Sequence, residues 1–361
     1  MSEFADRLVR WQVEHGRQDL PWQRTREPYR VWLSEIMLQQ TQVSVVIGYY
    51  ARFLVRFADV RALAAATLDD VLPLWAGLGY YARARNLHAC ARAVVERHGG
   101  QFPRSAAALA QLPGIGRSTA AAIAAFCFDE RAPILDGNVK RVLARHFGVQ
   151  GYPGQAAVER QLWTFAADLL PRAPSMPAYT QALMDLGAML CTTRKPRCAD
   201  CPVRSTCSAF AQGRVHELPA PRPSKAVPVR RAWWLVARAG ECVLLRQRGP
   251  EGLWGGLWVP PTFDSAQALT NAAQSLGGVP EWLAPRRHGF THYTLDYTPV
   301  LLTLPAVPPA AHEPGEDWVP LSRLDQYALP APVKRLLQHV AVRQDDLWAG
   351  AVRATPEGQC Y

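Results

Sequence analysis

Apolar residues divide the chain into two parts with different periodicities. Residues 1 to about 212 contain alanine-rich apolar stretches, including 105–111 and 118–128, that alternate with short Pro/Gly turns. No alternation of β-branched residues persists in this part, so the spacing predicts helices. We therefore expect an all-α domain over residues 1–212.

The pattern changes after a basic, proline-rich stretch over residues 213–230, whose composition is typical of a semi-rigid linker. The apolar runs 232–238 and 241–248 follow, and they are joined by Ala239-Gly240. Two apolar runs joined by so short a turn predict a β-hairpin.

Further along, the spacing predicts a helix over 265–277, a strand over 292–304 and a closing helix over 332–340. Together with the hairpin, these elements predict an α+β domain over residues 231–345. Residues 346–361 have the composition of a loose tail. The predicted fold class is multidomain, with an all-α domain followed by an α+β domain.

The net charge of the 361-residue chain is +10, and arginine supplies nearly all of the positive charge because only four lysines occur. A planar guanidinium binds two phosphate oxygens at once, so this composition favours a polyanionic partner such as nucleic acid. The N-terminus lacks the layout of a signal peptide, and no apolar run approaches the roughly 20 residues that a membrane helix needs. We expect a monomeric, cytoplasmic protein that does not bind membranes.

Four of the eight cysteines lie close together, at Cys191, Cys198, Cys201 and Cys207. A reducing compartment favours metal ligation over disulfides. Four thiolates suit either tetrahedral zinc or a cubane iron–sulfur cluster, and the single Cys-x2-Cys pair tilts the choice towards iron–sulfur. The flanking Arg and Lys residues are expected to help keep the thiols ionised.

The stretch LPGIGRSTA over residues 112–120 lies between two predicted helices. Gly114 and Gly116 are expected to allow a tight turn at positive φ and a close backbone approach. The N-terminus of the following helix, together with Arg117, could hold a DNA phosphate without reading the bases. An ordinary connection between two helices is the alternative.

Residues 28–43 predict one helix that is apolar over most of its circumference, with Glu35, Gln39 and Gln42 on one stripe. No lysine or arginine lies three or four residues from Glu35. Burial is therefore expected to raise its pKa until it carries a proton near neutrality. The alternative is an acid that is merely hydrogen-bonded by the neighbouring glutamines.

A second carboxylate, Asp136, precedes a predicted helix over 137–148, which Asp136 or Asn138 could cap. The helix dipole favours an ionised carboxylate at that place. A protonated Glu35 and an ionised Asp136 would form the pair that cleaves a glycosidic bond. One protonates the leaving group, and the other stabilises an oxocarbenium-like transition state.

Five stretches, taken in this order, resemble the helix-hairpin-helix DNA glycosylases: residues 34–43, 77–87, 112–120, 133–148 and the cysteine loop 191–207. Within that superfamily the chain is similar to the MutY-type adenine DNA glycosylases over nearly its whole length. The resemblance implies removal of adenine mispaired with 8-oxoguanine or guanine in double-stranded DNA, which initiates base excision repair at the bacterial nucleoid. It also implies a [4Fe–4S] cluster that shapes a basic DNA-binding loop around Arg194, Lys195 and Arg197.

The same resemblance implies roles for single residues. Glu35 would protonate adenine at N7, and Asp136 would stabilise the sugar cation or bond to it transiently, with Asn138 orienting nearby groups. The target base must first leave the stack. Gln42 and Tyr80 match positions that wedge into the DNA beside the lesion; for Tyr80, packing within a Gly-rich turn is the alternative.

One position separates the subclasses of this superfamily. Glycosylases that also cut the strand need an amine for a Schiff base, commonly a lysine just after the hairpin. Ser118 stands there, and no lysine occurs in residues 1–139. The chain is therefore expected to excise the base and leave the strand intact, with Ser118 among the hairpin residues that contact DNA.

The run GLWGGLWVPP, beginning at Gly252, resembles the Nudix-like domain of the same family. A Nudix hydrolase needs clustered glutamates on the following helix to bind magnesium. Between Gly252 and Gly278 the only acid is Asp264, so hydrolysis is not expected.

In the family, the Nudix-like domain reads 8-oxoguanine through a Phe-Ser-His motif, and the matching residues here are Phe290, Thr291 and His292. The threonine keeps the hydroxyl and adds a methyl group. The alternative is a packing cluster at the end of a strand.

Two other function classes compete with a base-excising enzyme. A bifunctional glycosylase and lyase is disfavoured by Ser118 and by the missing lysines. A non-enzymatic mismatch-binding or cluster-bearing DNA protein would not need both Glu35 and Asp136.

Overall fold

The computed structural model describes residues 3–172, 175–223, 226–290, 292–308 and 315–348, with side chains described up to residue 341. The chain divides into two compact units, Met1–Ala65 with Asn86–Ser224 and Ala66–Arg85 with Lys225–Tyr361. Residues Ala66–Arg85 thus group with the second unit, although they lie within the stretch predicted as the all-α domain. Most of the predicted tail, residues 349–361, lies outside the described residues.

Helices make up the regular structure of the first 212 residues, as predicted. In chain order they are α1 (Glu3–His15), α2 (Pro28–Leu38), α3 (Val43–Arg56), α4 (Val60–Ala65), α5 (Leu68–Trp75), α6 (Ala82–His98), α7 (Ala106–Leu109), α8 (Arg117–Phe128), α9 (Gly137–His146), α10 (Ala156–Asp168), α11 (Met176–Asp185) and α12 (Ser208–Ala211). Short 3-10 helices cover Pro21–Arg24, Cys198–Asp200 and Arg204–Thr206. A π-helical turn, Leu186–Leu190, continues α11.

The core of the helical unit forms where the apolar faces of several helices pack together. Helix α1 buries Phe4, Leu8 and Trp11 on one stripe against residues of α8, α9, α10 and α11. Helix α8 buries six consecutive residues between Ala120 and Ala125, five of which are alanines. Such small side chains let neighbouring helices pack closely against several sides of α8. This close packing fixes the positions of the helix ends relative to one another.

The prediction of a single helix over residues 28–43 is wrong. Helix α2 ends at Leu38, the backbone of Gln40 turns to a φ of +56°, and α3 begins at Val43 with Gln42 as its N-cap. The polar residues 39–42 offer no apolar side chain to anchor a further helical turn, so the chain reverses there. Gln39 and Gln42 therefore do not share a helical stripe with Glu35.

The second unit is built on a mixed eight-stranded sheet. Its elements are β1 (Val229–Ala239), β2 (Cys242–Gln247), β3 (Trp258–Val259), β4 (Thr262–Phe263), α13 (Ala266–Ser275), β5 (Pro280–Trp282), β6 (Arg286–Gly289), β7 (Thr294–Leu304), β8 (Glu316–Pro320) and α14 (Ala331–Trp348). A 3-10 helix covers Leu321–Gln326. The α+β class, the helices near 265–277 and 332–340 and the strand near 292–304 are confirmed.

The sheet has the order β3-β2-β1-β7-β5, in which β1 and β7 run parallel. Strand β4 pairs with β1, β6 with β7, and β8 with β2. The predicted hairpin is confirmed, but its turn is shifted by one residue because Ala239 pairs with Cys242, leaving Gly240 and Glu241 between the strands. Gly240 supplies the positive φ, +53°, that such a two-residue turn requires.

Each face of the sheet has its own core. On one face, β1 residues such as Trp234 and Val236 pack with Val333 and Leu336 of α14. On the other face, Leu235 and its neighbours pack with α13. The unit is thus an α/β/α sandwich. None of the helices in the described ranges has the length and apolarity needed to cross a membrane.

Candidate active site

The two predicted carboxylates line one cavity of the helical unit, with a volume of about 990 Å³. Glu35 lies in the last turn of α2, and Asp136 lies at the N-terminus of α9. Gln42, Ser118 and Asn138 line the same cavity. The fold therefore brings together, from α2, α8 and α9, residues that are far apart in the sequence.

Burial strongly perturbs the Glu35 carboxyl in this cavity. Surrounding protein withdraws its carboxyl from bulk water, and this burial, with the charge of Asp136 as the smaller cause, raises its pKa to about 8. No hydrogen bond to this carboxyl comes from any residue in the described ranges, and Gln39 donates instead to Thr119 Oγ1 over 3.4 Å. The expected rise in pKa is confirmed, and the alternative of a glutamine-bonded acid is not what the structure shows.

Asp136 caps helix α9, so the capping alternative is also correct. Its Oδ1 accepts a hydrogen bond from the backbone N–H of Val139 over 2.9 Å. Burial raises the pKa of Asp136 above its ordinary value, whereas the N–H groups of Val139 and Asn138 and the charges of Arg141 and Lys140 lower it. From its place at a helix N-terminus alone, Asp136 was expected to have a stabilised ionised form and therefore a lowered pKa. In the folded chain, burial outweighs this effect and the net pKa is raised.

Arg141 ties the end of α9 that carries Asp136 to the segment before the cysteine loop. Its Nη2 donates to Asn138 Oδ1 and to the carbonyl oxygen of Gly187, each over 2.8 Å, and its Nε donates to the carbonyl oxygen of Cys191 over 2.7 Å. Asn138 is thereby held by Arg141 rather than acting as the helix cap. Sequence inspection missed Arg141, because two of its three acceptors lie about 50 residues further along the chain.

Gly187 allows this close approach. It lies in the π-helical turn Leu186–Leu190, and a Cβ added to it would stand 2.6 Å from the Cβ of Asn138. Single π-helical turns often occur at functional sites. Here the turn carries the chain from α11 directly to Cys191.

A second, smaller cavity of about 250 Å³ also reaches Glu35. Glutamines at several positions and one indole line it, namely Gln12, Gln18, Gln23, Gln181 and Trp22. Amide groups both donate and accept hydrogen bonds, and an indole offers a flat apolar surface. The lining therefore suits a planar, polar ring. Sequence inspection did not find these residues.

A buried ion pair supports this part of the site. Asp185 is fully buried, and its Oδ1 accepts hydrogen bonds from Arg17 Nε over 2.7 Å and from Gln181 Nε2 over 2.9 Å. The backbone N–H of Arg17 donates to Asp185 Oδ2 over 2.9 Å. Both oxygens of the buried carboxylate are thus hydrogen-bonded, as a buried charge requires.

The helical hairpin is formed as predicted, but its two glycines differ. Gly114 has a φ of +75°, and a Cβ on it would lie 2.6 Å from Asn86 Cβ. Gly116, the N-cap of α8, has an ordinary φ of −80°, so the expected positive φ at Gly116 is wrong. Arg117 is exposed, with its guanidinium 3.8 Å from the centre of the Trp163 ring.

Ser118 lies in the first turn of α8, where its Oγ accepts a hydrogen bond from the backbone N–H of Leu135 over 2.9 Å. This bond connects the hairpin to the irregular segment that leads to Asp136. Ser118 thus faces the cavity and has a structural partner.

The four clustered cysteines line one cavity, enclosed mainly by apolar side chains of α9, the π-helical turn and the loop itself. All four are free thiols. No three His, Cys, Asp or Glu side chains of the described ranges are already spaced to hold a metal ion. Burial raises the pKa of Cys198, Cys201 and Cys207, that of Cys201 to about 12. For these three thiols in the protein alone, the expectation that flanking cations keep them ionised is wrong.

A buried guanidinium stands beside these thiols. Arg145 is 3% exposed, and its nitrogens donate to the carbonyl oxygens of Leu218, Thr192 and Thr193 and to Cys191 Sγ over 3.3 Å. These acceptors are neutral, so a buried cation faces the thiol cavity. Four thiols around one cavity with a cation at its wall fit an anionic metal–thiolate group.

The remaining predicted residues belong to the second unit. Tyr80 has a φ of +49° and is 50% exposed, so it is not simply packed away in its Gly-rich turn. Phe290 is half-buried against aromatic neighbours, and His292 is exposed. Thr291 lies outside the described residues.

Two families match the chain, one for each kind of domain. Residues 33–167 match the HhH-GPD superfamily base excision DNA repair protein, and residues 232–339 match the NUDIX domain. A solved thermostable thymine-DNA glycosylase resembles this chain with a TM-score of 0.53 and 30% identity, over 58% of this chain and 95% of that one.

Curated relatives extend the similarity to both domains. The adenine DNA glycosylase of Buchnera aphidicola subsp. Acyrthosiphon pisum is 34% identical over 93% of this chain and 97% of its own length. The adenine DNA glycosylase of Homo sapiens is 32% identical over 100% of this chain and 78% of its own length. The predicted fold class and the predicted resemblance are confirmed.

The two hairpin glycines provide a matched test of the fold around this site. We expect Gly114→Ala to lower the free energy of unfolding by about 1–3 kcal/mol, because alanine disfavours a φ of +75° and its Cβ would displace Asn86. Gly116→Ala is the control, since its Cβ would meet nothing within 4 Å at an ordinary φ. Denaturant unfolding of both variants measures the difference, and equal losses would contradict the assignment of strain to Gly114.

Proposed function

The chain belongs to the adenine DNA glycosylases, enzymes of base excision repair, and from that membership we propose that it excises adenine paired with 8-oxoguanine or guanine in duplex DNA and leaves the strand uncut. One observation carries the proposal. Two carboxyls, Glu35 and Asp136, face the same cavity.

The charges around the pair decide which carboxyl holds the proton. Backbone N–H groups and the cations Arg141 and Lys140 act on Asp136, whereas burial and the Asp136 charge act on Glu35. We therefore assign the proton to Glu35 and the negative charge to Asp136. Glu35 donates its proton to the leaving adenine, and Asp136 stabilises the cationic sugar.

The flipped adenine would occupy the glutamine-lined cavity that opens beside Glu35. Adenine offers ring nitrogens as acceptors and an exocyclic amine as donor, and amide side chains match both. The ion pair of Arg17 and Asp185 holds Gln181 in place on one wall. Asn138, fixed by Arg141, would orient groups near the sugar.

Cutting of the DNA strand would need an amine in the Glu35–Asp136 cavity. The residues that line the Glu35–Asp136 cavity include the guanidinium groups of Arg17 and Arg141 and no lysine among those described. Lys140 is the lysine closest in sequence to Asp136. It pairs with Glu159 over 2.6 Å and is absent from that lining. A guanidinium does not form the Schiff base that a lyase needs.

DNA contacts are proposed for the hairpin and for two wedge residues. Exposed Arg117 and the free N–H groups at the start of α8, near Gly114, Gly116 and Ser118, suit a phosphate. Gln42 and Tyr80 are both exposed, and their side chains would insert into the DNA duplex beside the mispair.

Recognition of 8-oxoguanine is proposed for Phe290, Thr291 and His292 in the second unit. Helix α13, which follows the GLWGG segment, contains no acidic residue, so the magnesium site of a Nudix hydrolase has no ligands there.

The domain limits proposed from sequence remain 1–212 for the glycosylase domain and 231–345 for the recognition domain. We also propose that the protein acts as a monomer in the bacterial cytoplasm, at the nucleoid.

A [4Fe–4S] cluster is proposed for Cys191, Cys198, Cys201 and Cys207. Bound there, it would supply structural cross-links and no chemistry in the hydrolysis. The buried guanidinium of Arg145 would balance the negative charge of the ligated group. Exposed Arg194, Lys195 and Arg197 would then be presented to the DNA backbone.

The protonated state of Glu35 predicts a specific pH dependence. Because only the protonated acid can donate, the single-turnover excision rate should fall about tenfold per pH unit above pH 8. At acid pH the rate should fall as well, because Asp136, whose pKa burial raises, loses its charge there. Glu35→Gln should lower the rate by about 10²-fold or more and abolish this alkaline limb. Rates on a duplex with adenine opposite 8-oxoguanine measure both effects.

Glu96→Gln is the matched control, since Glu96 is an exposed glutamate of α6 paired only with Arg92 of the same helix. It should keep the wild-type rate and profile. An alkaline limb that survives in Glu35→Gln would show that another group supplies the proton.

The lining of the Glu35–Asp136 cavity, which includes no lysine among its described residues, predicts the products. A labelled strand with adenine opposite 8-oxoguanine should break only after hot alkali, because excision leaves an abasic site in an intact strand. Breakage without alkali would mean that an amine reaches the sugar, and the proposed restriction to base excision would be wrong. Binding without any breakage would favour a mismatch-binding protein.

The proposed cluster predicts bound iron. Cys198→Ser should lose most of the four iron atoms per chain and bind duplex DNA more weakly, whereas Cys127→Ser should keep both, because Cys127 lies outside the thiol cavity. Metal analysis and DNA titration measure the two effects. Zinc in place of iron in the wild-type protein would contradict the proposal.

A further inference from the structure

The loop between β6 and β7 ends in a three-layer stack. The backbone N–H of Phe290 donates to the carbonyl oxygen of Tyr293 over 2.8 Å, which closes the loop. The rings of Phe290 and Tyr293 are stacked, with centroids 4.7 Å apart and planes 28° apart. The guanidinium of Arg230 lies 4.6 Å from the centre of the Tyr293 ring.

Two further aromatic rings contact Phe290. Trp254 contacts the Phe290 ring at 5.5 Å, and His288 meets it edge-on at 4.6 Å. Trp254 adopts a φ of +54°, a conformation that is costly for a bulky residue and is tolerated only when surrounding contacts hold it. The contact with the ring of Trp234, at 5.9 Å, is one of these.

The strand register explains how the stack is assembled. Arg230 lies on β1 opposite Leu295 of β7, two residues after Tyr293, so its side chain reaches the Tyr293 ring along the sheet. Arg230 is exposed. The Tyr293 hydroxyl is buried, and no residue in the described ranges hydrogen-bonds to it. The ring of Tyr293, rather than its hydroxyl, therefore makes the contact that matters.

We propose that Tyr293 and Arg230 are positioning residues for recognition of the oxidised guanine, because their stack on Phe290 fixes the loop that carries His292 before DNA arrives. The inference rests on the proposed 8-oxoguanine specificity of this loop. A preformed loop binds its target with a smaller loss of conformational entropy. The stack therefore adds affinity only for the base that the loop contacts.

The test measures binding of the full chain to two uncleavable duplexes, with 2′-fluoroadenosine opposite 8-oxoguanine or opposite guanine. Tyr293→Ala and Arg230→Ala should each lower the preference for 8-oxoguanine by about threefold to tenfold, mainly by weakening binding of the oxidised duplex. Tyr293→Phe should keep the full preference, because it keeps the ring. Arg230→Lys should lose preference as Arg230→Ala does, because an ammonium lacks the flat stacking surface.

Arg323→Ala is the matched control, since it removes an exposed arginine from the same unit, and it should leave the preference unchanged. Arg230 is exposed, so its variants keep the fold and decide the result even if Tyr293→Ala unfolds. Equal weakening of both duplexes, or full preference in Arg230→Lys, would overturn the stacking role.

The wild-type protein separates this inference from the function on which it rests. If wild type binds both duplexes equally, the proposed 8-oxoguanine specificity fails. If wild type discriminates and Arg230→Ala discriminates equally well, only the positioning role fails.

Discussion

The rest of the site depends on one unfavourable burial, that of the Glu35 carboxyl close to Asp136. In the unfolded chain Glu35 ionises near pH 4.5, whereas in the folded chain it does so near pH 8. Between these values the unfolded state binds fewer protons, so folding stability falls as the pH rises. At pH 7 the cost is on the order of 3 kcal/mol. The fold bears this cost, and the same burial keeps a proton available near neutrality.

The two carboxyls differ in the groups that surround them. Helix α9 offers N–H groups and cations to Asp136 and none to Glu35. The bonds of Arg141 then join this helix to Gly187 and Cys191, and Arg145 extends the connection to the thiol cavity. Hydrogen bonds thus join the segment at the cysteine loop to helix α9, which carries Asp136, although the described residues of the loop supply no group to the cavity.

Much of the fold was predictable from the sequence, and the limits have physical causes. Helical spacing, the turn at Gly240 and the sign of the Glu35 shift follow from local patterns, because burial and turn geometry act over a few residues. The end of α2 at Leu38 was missed, since polar residues in a helical register do not reveal a reversal. The pairing of Arg17 with Asp185 was missed as well, because residues 168 positions apart are joined only by tertiary packing.

The most direct test of the account is the protonation state of Glu35 itself. Infrared difference spectra between the wild-type protein and Glu35→Gln isolate the carboxyl of this residue, since the two proteins differ in one group. The account predicts a carboxylic acid C=O band that persists at pH 7 and titrates near pH 8. A carboxylate signal at pH 7, with the acid band lost near pH 4.5, would contradict it, because Glu35 would then have no proton to give.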